Sequence, residues 1–151
     1  MSRTVVAPPV EGWRNIEATT DGSCLRNPGP GGWAAILREG TREMVIAGGE
    51  PNSTCNRMEL AAILKALQKI GDRSNVLIRT DSQYSIDACE CLTRFMTGKS
   101  KKTPKNLDIL KEIYPEMMRH RVRFEWIKGH AFDELNNRAD GLARAEALKF
   151  S

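Results

Sequence analysis

Short runs rich in apolar residues and bounded by turn formers occupy residues 14 to 21, 33 to 38 and 42 to 49, the last two meeting across Glu39-Gly40-Thr41. Tight connections between consecutive strands predict an antiparallel meander. The spacing then changes: Leu60, Ile63, Leu64, Leu67 and Ile70 recur at the helical period from Glu59 to Ile70, and Gly71 follows as the expected C-terminal cap. Asn75 to Thr80 is the next predicted strand, and Ala88, Cys91, Leu92 and Phe95 form a second helical stripe closed by Gly98. A third helix is predicted after Pro104 with Asn106 as its cap and Leu110, Ile113, Tyr114 and Met117 on one face, kinked or broken near Tyr114 by Pro115. Val122 to Ile127 reads as a final strand, Lys128 to Leu135 as a polar loop and Asn136 to Leu148 as a closing helix. Three strands followed by alternating helices and strands predict an α/β fold, a mixed sheet flanked by helices.

With 151 residues, 40% of them hydrophobic, the chain suits one compact domain over residues 14 to 151, preceded by a flexible leader of residues 1 to 13. That leader carries Pro8 and Pro9 and has no apolar signal-like core, and no run approaches a membrane span. Cys24, Cys55, Cys89 and Cys91 show no metal-ligand spacing and read as free thiols of a reducing compartment, so a cytoplasmic location without membrane attachment is expected. A formal charge of +4 tilts the chain modestly toward a polyanionic partner.

The acids change the picture more than the net charge does. Asp21 ends the first predicted strand and is followed by Gly22 and by a rigid reversal from Asn27 to Gly32. Taken alone it reads as an ordinary turn aspartate. Glu59 stands three residues after Asn56, the spacing of a capping box; Asp81 fits a helix N-cap; Asp140 fits a helix-dipole partner. Together, however, Asp21 and Asp81 both end strands, and Glu59 and Asp140 both lie near helix starts that can face the same sheet end. Four carboxylates gathered there repel unless protons or cations intervene. Oxygen ligands without a His or Cys cluster favour Mg²⁺ or Mn²⁺ over zinc, and two such ions roughly 3.5–4 Å apart suit in-line phosphodiester displacement.

Four separated motifs stand in order: Thr20-Asp21-Gly22-Ser23 with Asn27-Pro28-Gly29-Pro30-Gly31-Gly32; Asn56-Arg57-Met58-Glu59-Leu60; Thr80-Asp81-Ser82-Gln83-Tyr84; and Lys128-Gly129-His130 with Asn136 and Arg138-Ala139-Asp140. On these the chain, from about Ile16 to Leu148, resembles the type 1 ribonuclease H enzymes of bacterial kind. The resemblance implies a five-stranded mixed sheet of order 3-2-1-4-5 and endonucleolytic cleavage of the RNA strand of RNA/DNA hybrids, leaving 3′-hydroxyl and 5′-phosphate ends. It implies that Asp21, Glu59, Asp81 and Asp140 bind two Mg²⁺ ions, with Mn²⁺ as a substitute, one activating water and the other stabilising the leaving oxygen. His130 would assist proton movement or product release, and its reference pKa near 6.5 suits that task. Hybrid contacts would come from the Cys24 backbone and from Asn27, Thr54, Asn56 and Gln83, with Lys99, Lys101 and Lys102 as the remnant of a basic handle. No obligate protein partner is implied, and a monomer is expected.

Three positions depart from the family pattern: Cys55 where Asn is common, a handle shortened and without tryptophan, and Phe132 where many relatives carry glycine. Two rival readings use the same residues, a resolvase-like nuclease of branched DNA and a catalytically silent hybrid-binding module. Cleavage of branched DNA favours the first; binding without Mg²⁺-dependent cleavage favours the second.

Overall fold

A computed structural model describes residues 3–128 and 133–151. Its strands are β1 (Arg3–Val5), β2 (Arg14–Cys24), β3 (Gly29–Glu39), β4 (Arg42–Ser53), β5 (Ser74–Thr80) and β6 (Arg121–Trp126). Its helices are α1 (Cys55–Lys69), α2 (Gln83–Met96), α3 (Leu107–Arg119) and α4 (Glu134–Leu148). The sheet order is β1-β6-β5-β2-β3-β4. The expected five-stranded order 3-2-1-4-5 is therefore present as β4-β3-β2-β5-β6, with β2, β3 and β4 antiparallel and β5 and β6 parallel to β2.

The sixth strand is a correction to the flexible leader. Arg3–Val5 pairs antiparallel with β6, the Val6 and Ala7 amides both donate to the Val122 carbonyl, and Asn75 exchanges hydrogen bonds with the Val10 backbone. An edge strand offers a row of unpaired backbone groups, and an extended segment satisfies them whatever its side-chain pattern.

Helices cover both faces of the sheet. On β3 the adjacent Gly31 and Gly32 point to opposite sides: a Cβ at Gly31 would meet Met58 of α1, and one at Gly32 would meet Ala143 and Ala147 of α4. These glycines also explain why β3 begins at Gly29 and not at Trp33, since bare backbone is what lets both helices approach so closely. The core on the α1 side joins Ala35, Leu60, Ile63, Leu67, Ile78, Leu92, Leu110, Ile113 and Phe124, all buried. The opposite side is closed by the small buried stripe Asn136, Ala139, Ala143 and Ala147 of α4.

Helix ends differ from expectation in four places. α1 starts at Cys55, capped by Thr54, whose hydroxyl accepts from the Arg57 amide, so Asn56 and Glu59 form no capping box. Its C-cap is Ile70 in extended conformation, with Gly71 beyond it. Ser82, not Asp81, caps α2. α4 begins at Glu134, two residues before the expected start, with the Asp133 carboxylate accepting from the Asn136 amide. α3 runs through Pro115 without a break, held on either side of it by the buried Ile113 and Met117.

His120 ends α3 but does more than decorate a helix terminus. It is 1% exposed, its Nδ1 accepts from the Ser74 amide at 3.1 Å and its Nε2 lies 3.2 Å from the Leu67 carbonyl, so the ring joins α1, α3 and β5. An accepting Nδ1 leaves the proton on Nε2. Burial, with Arg119 alongside, lowers its pKa below the ordinary histidine value. The unfolded chain therefore takes up the proton first, and the stability this histidine contributes above about pH 6.5 is lost as the pH falls toward the depressed folded value. Replacing His120 by Gln is expected to lower the melting temperature at pH 7.5 and to flatten its fall between about pH 7 and 5; an unchanged slope would remove His120 from that linkage.

Candidate active site

The acids come from four different elements. Asp21 lies near the end of β2, Glu59 in the second turn of α1, Asp81 directly after β5, and Asp140 in the second turn of α4. Carboxylate oxygens of Asp21, Glu59 and Asp81 all fall within 4.8 Å of one another. Asp140 stands at the exposed rim, near enough to Asp21 to raise its pKa through charge and hydrogen bonding. Local geometry explains the convergence: parallel β2 and β5 end side by side, and the missing side chain of Gly22 lets α1 lie against β2 at Met58 and Glu59. The Gly22 amide donates to Glu59 Oε1. The Trp126 indole N–H donates to the Asp81 carbonyl at 3.3 Å, fixing the turn after β5.

The electrostatics are those of a site that could hold a cation. Asp21 is 3% exposed and Glu59 9% exposed, and none of the ion pairs among the described residues involves any of the four acids. Burial, reinforced by the charges of Asp81 and Asp140, pushes Asp21 up to about 7. Burial, with Asp21 and Asp81 beside it, raises Glu59 well above the usual carboxylate range. Such a cluster of hard oxygen donors, costly to ionise alone, can coordinate a divalent cation. Two cavities of about 410 and 520 Å³ lie at the opposite end of the sheet, around Arg14 and around Asn15, and none of the acids lines either.

The expected substrate contacts come from several elements. Cys24 ends β2, and the exposed Asn27 accepts weakly from the Cys55 amide through Oδ1 at 3.4 Å. Asn56 is exposed in the first turn of α1, while Thr54 spends its hydroxyl on capping that helix. Gln83 opens α2 two residues after Asp81 and donates to Asp87. Lys99, Lys101 and Lys102 are exposed between α2 and α3, away from the carboxylate cluster in sequence and in none of the ion pairs among the described residues. His130 and Phe132 lie outside the described residues. The sequence reading missed Trp126 and Arg79; a lone arginine inside the otherwise apolar end of β5 was the available signal for the latter.

The RNase H family profile matches residues 14–148. A ribonuclease H of Xanthomonas campestris pv. campestris (strain 8004) is 44% identical over 143 residues, 89% of this chain and 93% of that protein. The crystal structure of LC9-RNase H1, described as a type 1 RNase H with the type 2 active-site motif, superposes with a TM-score of 0.81 at 24% identity, covering 94% of this chain and 76% of that one, a likeness of fold. LC11-RNase H1 in complex with an RNA/DNA hybrid gives a TM-score of 0.65 at 26% identity, covering 89% of this chain and 97% of that one. No helix among the described residues is long and apolar enough to cross a membrane.

Proposed function

The chain belongs to the RNase H family, in its type 1, bacterial-like form, and we propose that it cuts the RNA strand of RNA/DNA hybrids using two Mg²⁺ ions held between Asp21, Glu59, Asp81 and Asp140. The observation that carries this reading is the trio of carboxylates from three separate elements within 4.8 Å, unpaired with any described cation and partly buried. Magnesium, when bound, supplies Lewis-acid activation of water and of the phosphodiester and neutralises charge on the leaving oxygen. The protein's share is orientation. Glu59 is fixed by the Gly22 amide, the Asp81 turn is fixed by Trp126, and Asp140 closes the rim from α4. His130 is proposed to move the proton at the leaving or attacking oxygen.

Choice of RNA over DNA requires contacts to 2′-hydroxyls across a wide minor groove, which amides and backbone groups make well. Cys24, Asn27, Asn56 and Gln83 are the groups proposed for this, at the end of β2 and the starts of α1 and α2. A labelled-duplex assay tests the whole reading. RNA/DNA should be cut in the RNA strand with Mg²⁺ and not without it, while RNA/RNA, DNA/DNA and branched DNA remain intact. Cleavage of branched DNA alone, or hybrid binding without cleavage, would replace it by one of the rival readings.

Lys99, Lys101 and Lys102 are proposed to grip phosphates outside the carboxylate cluster. Each phosphate neutralised contributes a log-log salt slope of roughly −0.7 to −0.9, so changing all three to Ala is expected to flatten the slope by about 2 and to act on KM with kcat retained. An unchanged slope would show that this loop never reaches the duplex.

A further inference from the structure

Outside the carboxylate cluster, the Arg79 side chain joins β5 to β2, β6 and the start of α4. Its Nη2 donates to Asp133 Oδ2 at 2.6 Å, its Nε to Glu125 Oε1 at 3.0 Å and its Nη1 to Thr19 Oγ1 at 3.3 Å. The guanidinium is mostly buried, Thr19 is 1% exposed and Glu125 is 4% exposed, so the group is a fixed junction and not a solvated surface pair. A planar fork with five donors reaches acceptors spread around its edges, whereas an ammonium presents its three donors from a single nitrogen.

The partners' positions matter more than their number. Thr19 stands two residues before Asp21 on the same side of β2, and Arg79 itself stands two residues before Asp81. Asp133 caps α4 through the Asn136 amide, seven residues and about two turns ahead of Asp140. Burial alone would raise the Asp133 carboxyl, but the Asn136 amide and Arg79 more than reverse this and hold it below the usual carboxylate range. Glu125 on β6 supports the guanidinium from the far side.

Resting on the hybrid-cleaving reading above, we infer that Arg79 is a positioning residue: by tying Thr19 to Asp133 it locks the strands carrying Asp21 and Asp81 to the helix carrying Asp140, and so sets the cation affinity of the site. Arg79 touches none of the four acids in the described hydrogen bonds and ion pairs. Its effect must pass through the register of α4 on the sheet. A loosened α4 start leaves Asp21, Glu59 and Asp81 in place but lets Asp140 drift, so cation binding should weaken while hybrid contacts on the α1 and α2 side persist.

Asp133→Asn keeps the capping oxygen, since Asn caps helices as well as Asp, and removes the charge that Arg79 grips. Arg79→Lys keeps the charge and loses the fork. Mn²⁺ affinity measured by titration calorimetry without nucleic acid, at a temperature where every variant is fully folded, is expected to fall about 3- to 10-fold in each. The double variant should be no worse than the worse single one, because both cut the same link. Hydrogen exchange at residues 134–137 should accelerate in both variants, whereas KM for the hybrid should stay within about 2-fold at saturating cation. Unchanged Mn²⁺ affinity in variants of a wild type that binds Mn²⁺ and cleaves hybrid would overturn this inference and leave the hybrid-cleaving reading standing. Additive losses that follow melting temperature would reduce Arg79 to a structural residue and overturn it as well. A wild type that neither takes up cations nor cleaves hybrid would overturn both.

Discussion

Asp21→Asn and Asp81→Asn are each expected to abolish hybrid cleavage, by about 10³-fold or more in kcat, while the protein folds and binds hybrid as before. Each replacement keeps the shape of the side chain and removes a charge that the cation must balance. The metal-free stability of Asp21→Asn separates a charge effect from a packing effect. In the cation-free protein, burial and the neighbouring acids push Asp21 up to about 7. The folded state then holds a proton that the unfolded chain releases near its ordinary value of 3.8, so stability falls as pH rises between those two values. Asp21→Asn removes that loss, and its metal-free melting temperature at pH 8 should exceed that of wild type. Adding Mg²⁺ should raise the wild-type value and leave the variant far less changed, since a cation that binds only the folded state stabilises it by mass action. A variant that still turns over hybrid, or one that melts lower than wild type without metal, would contradict the charge-repulsion account.

The site and the sheet were legible in the sequence for different reasons. Three strands on short connections, then strands separated by helices, predicted a mixed sheet flanked by helices, while the strand order came from the resemblance to type 1 ribonuclease H enzymes. The acids were individually ambiguous, and Glu59 shows why. Asn56 and Glu59 carry the capping-box spacing, yet Thr54 takes the cap and Glu59 turns inward to the Gly22 amide. Cys55, Asn56 and Arg57 form a polar first turn with no apolar period, so hydrophobic spacing could not place the helix start among them. Likewise β1 carries no pattern of its own, because backbone pairing to an edge asks nothing of the side chains. The Arg79 junction was hidden for a third reason. Thr19, Arg79 and Glu125 lie far apart in sequence and come into one row only through the parallel pairing of β2, β5 and β6, and Asp133 joins them from the start of α4. Motifs record residues that share a short segment; a network with one residue from each of four segments leaves no such record.

Gly32→Ala is expected to destabilise the protein by about 3 kcal/mol, at the upper end for added volume in a packed core, and Gly141→Ala to stabilise it by up to about 1 kcal/mol. Both changes add one methyl group, and both concern α4. At Gly32 the new Cβ would lie on the Ala143 carbonyl oxygen and 2.7 Å from the Ala147 amide nitrogen, backbone atoms that cannot rotate away. The helix must shift bodily from β3, and it carries Asp140 with it. At Gly141 nothing among the described residues lies within 4 Å of the added atom, so the methyl group merely lowers the entropy of the unfolded chain at an exposed helical position. For a domain of this size the loss at Gly32 should appear as a fall of roughly 6–12 °C in melting temperature. Gly22→Ala places its Cβ on Glu59 N and Met58 C and should drive α1 from β2 in the same way. Its activity should fall further than that of Gly32→Ala, because it separates Glu59 from Asp21 at the centre of the cluster, whereas Gly32→Ala displaces only the rim acid. Equal activities in the two variants at matched stability would mean that Asp140 is as tightly required as Glu59, and that α4 is held in place for catalysis as strictly as α1.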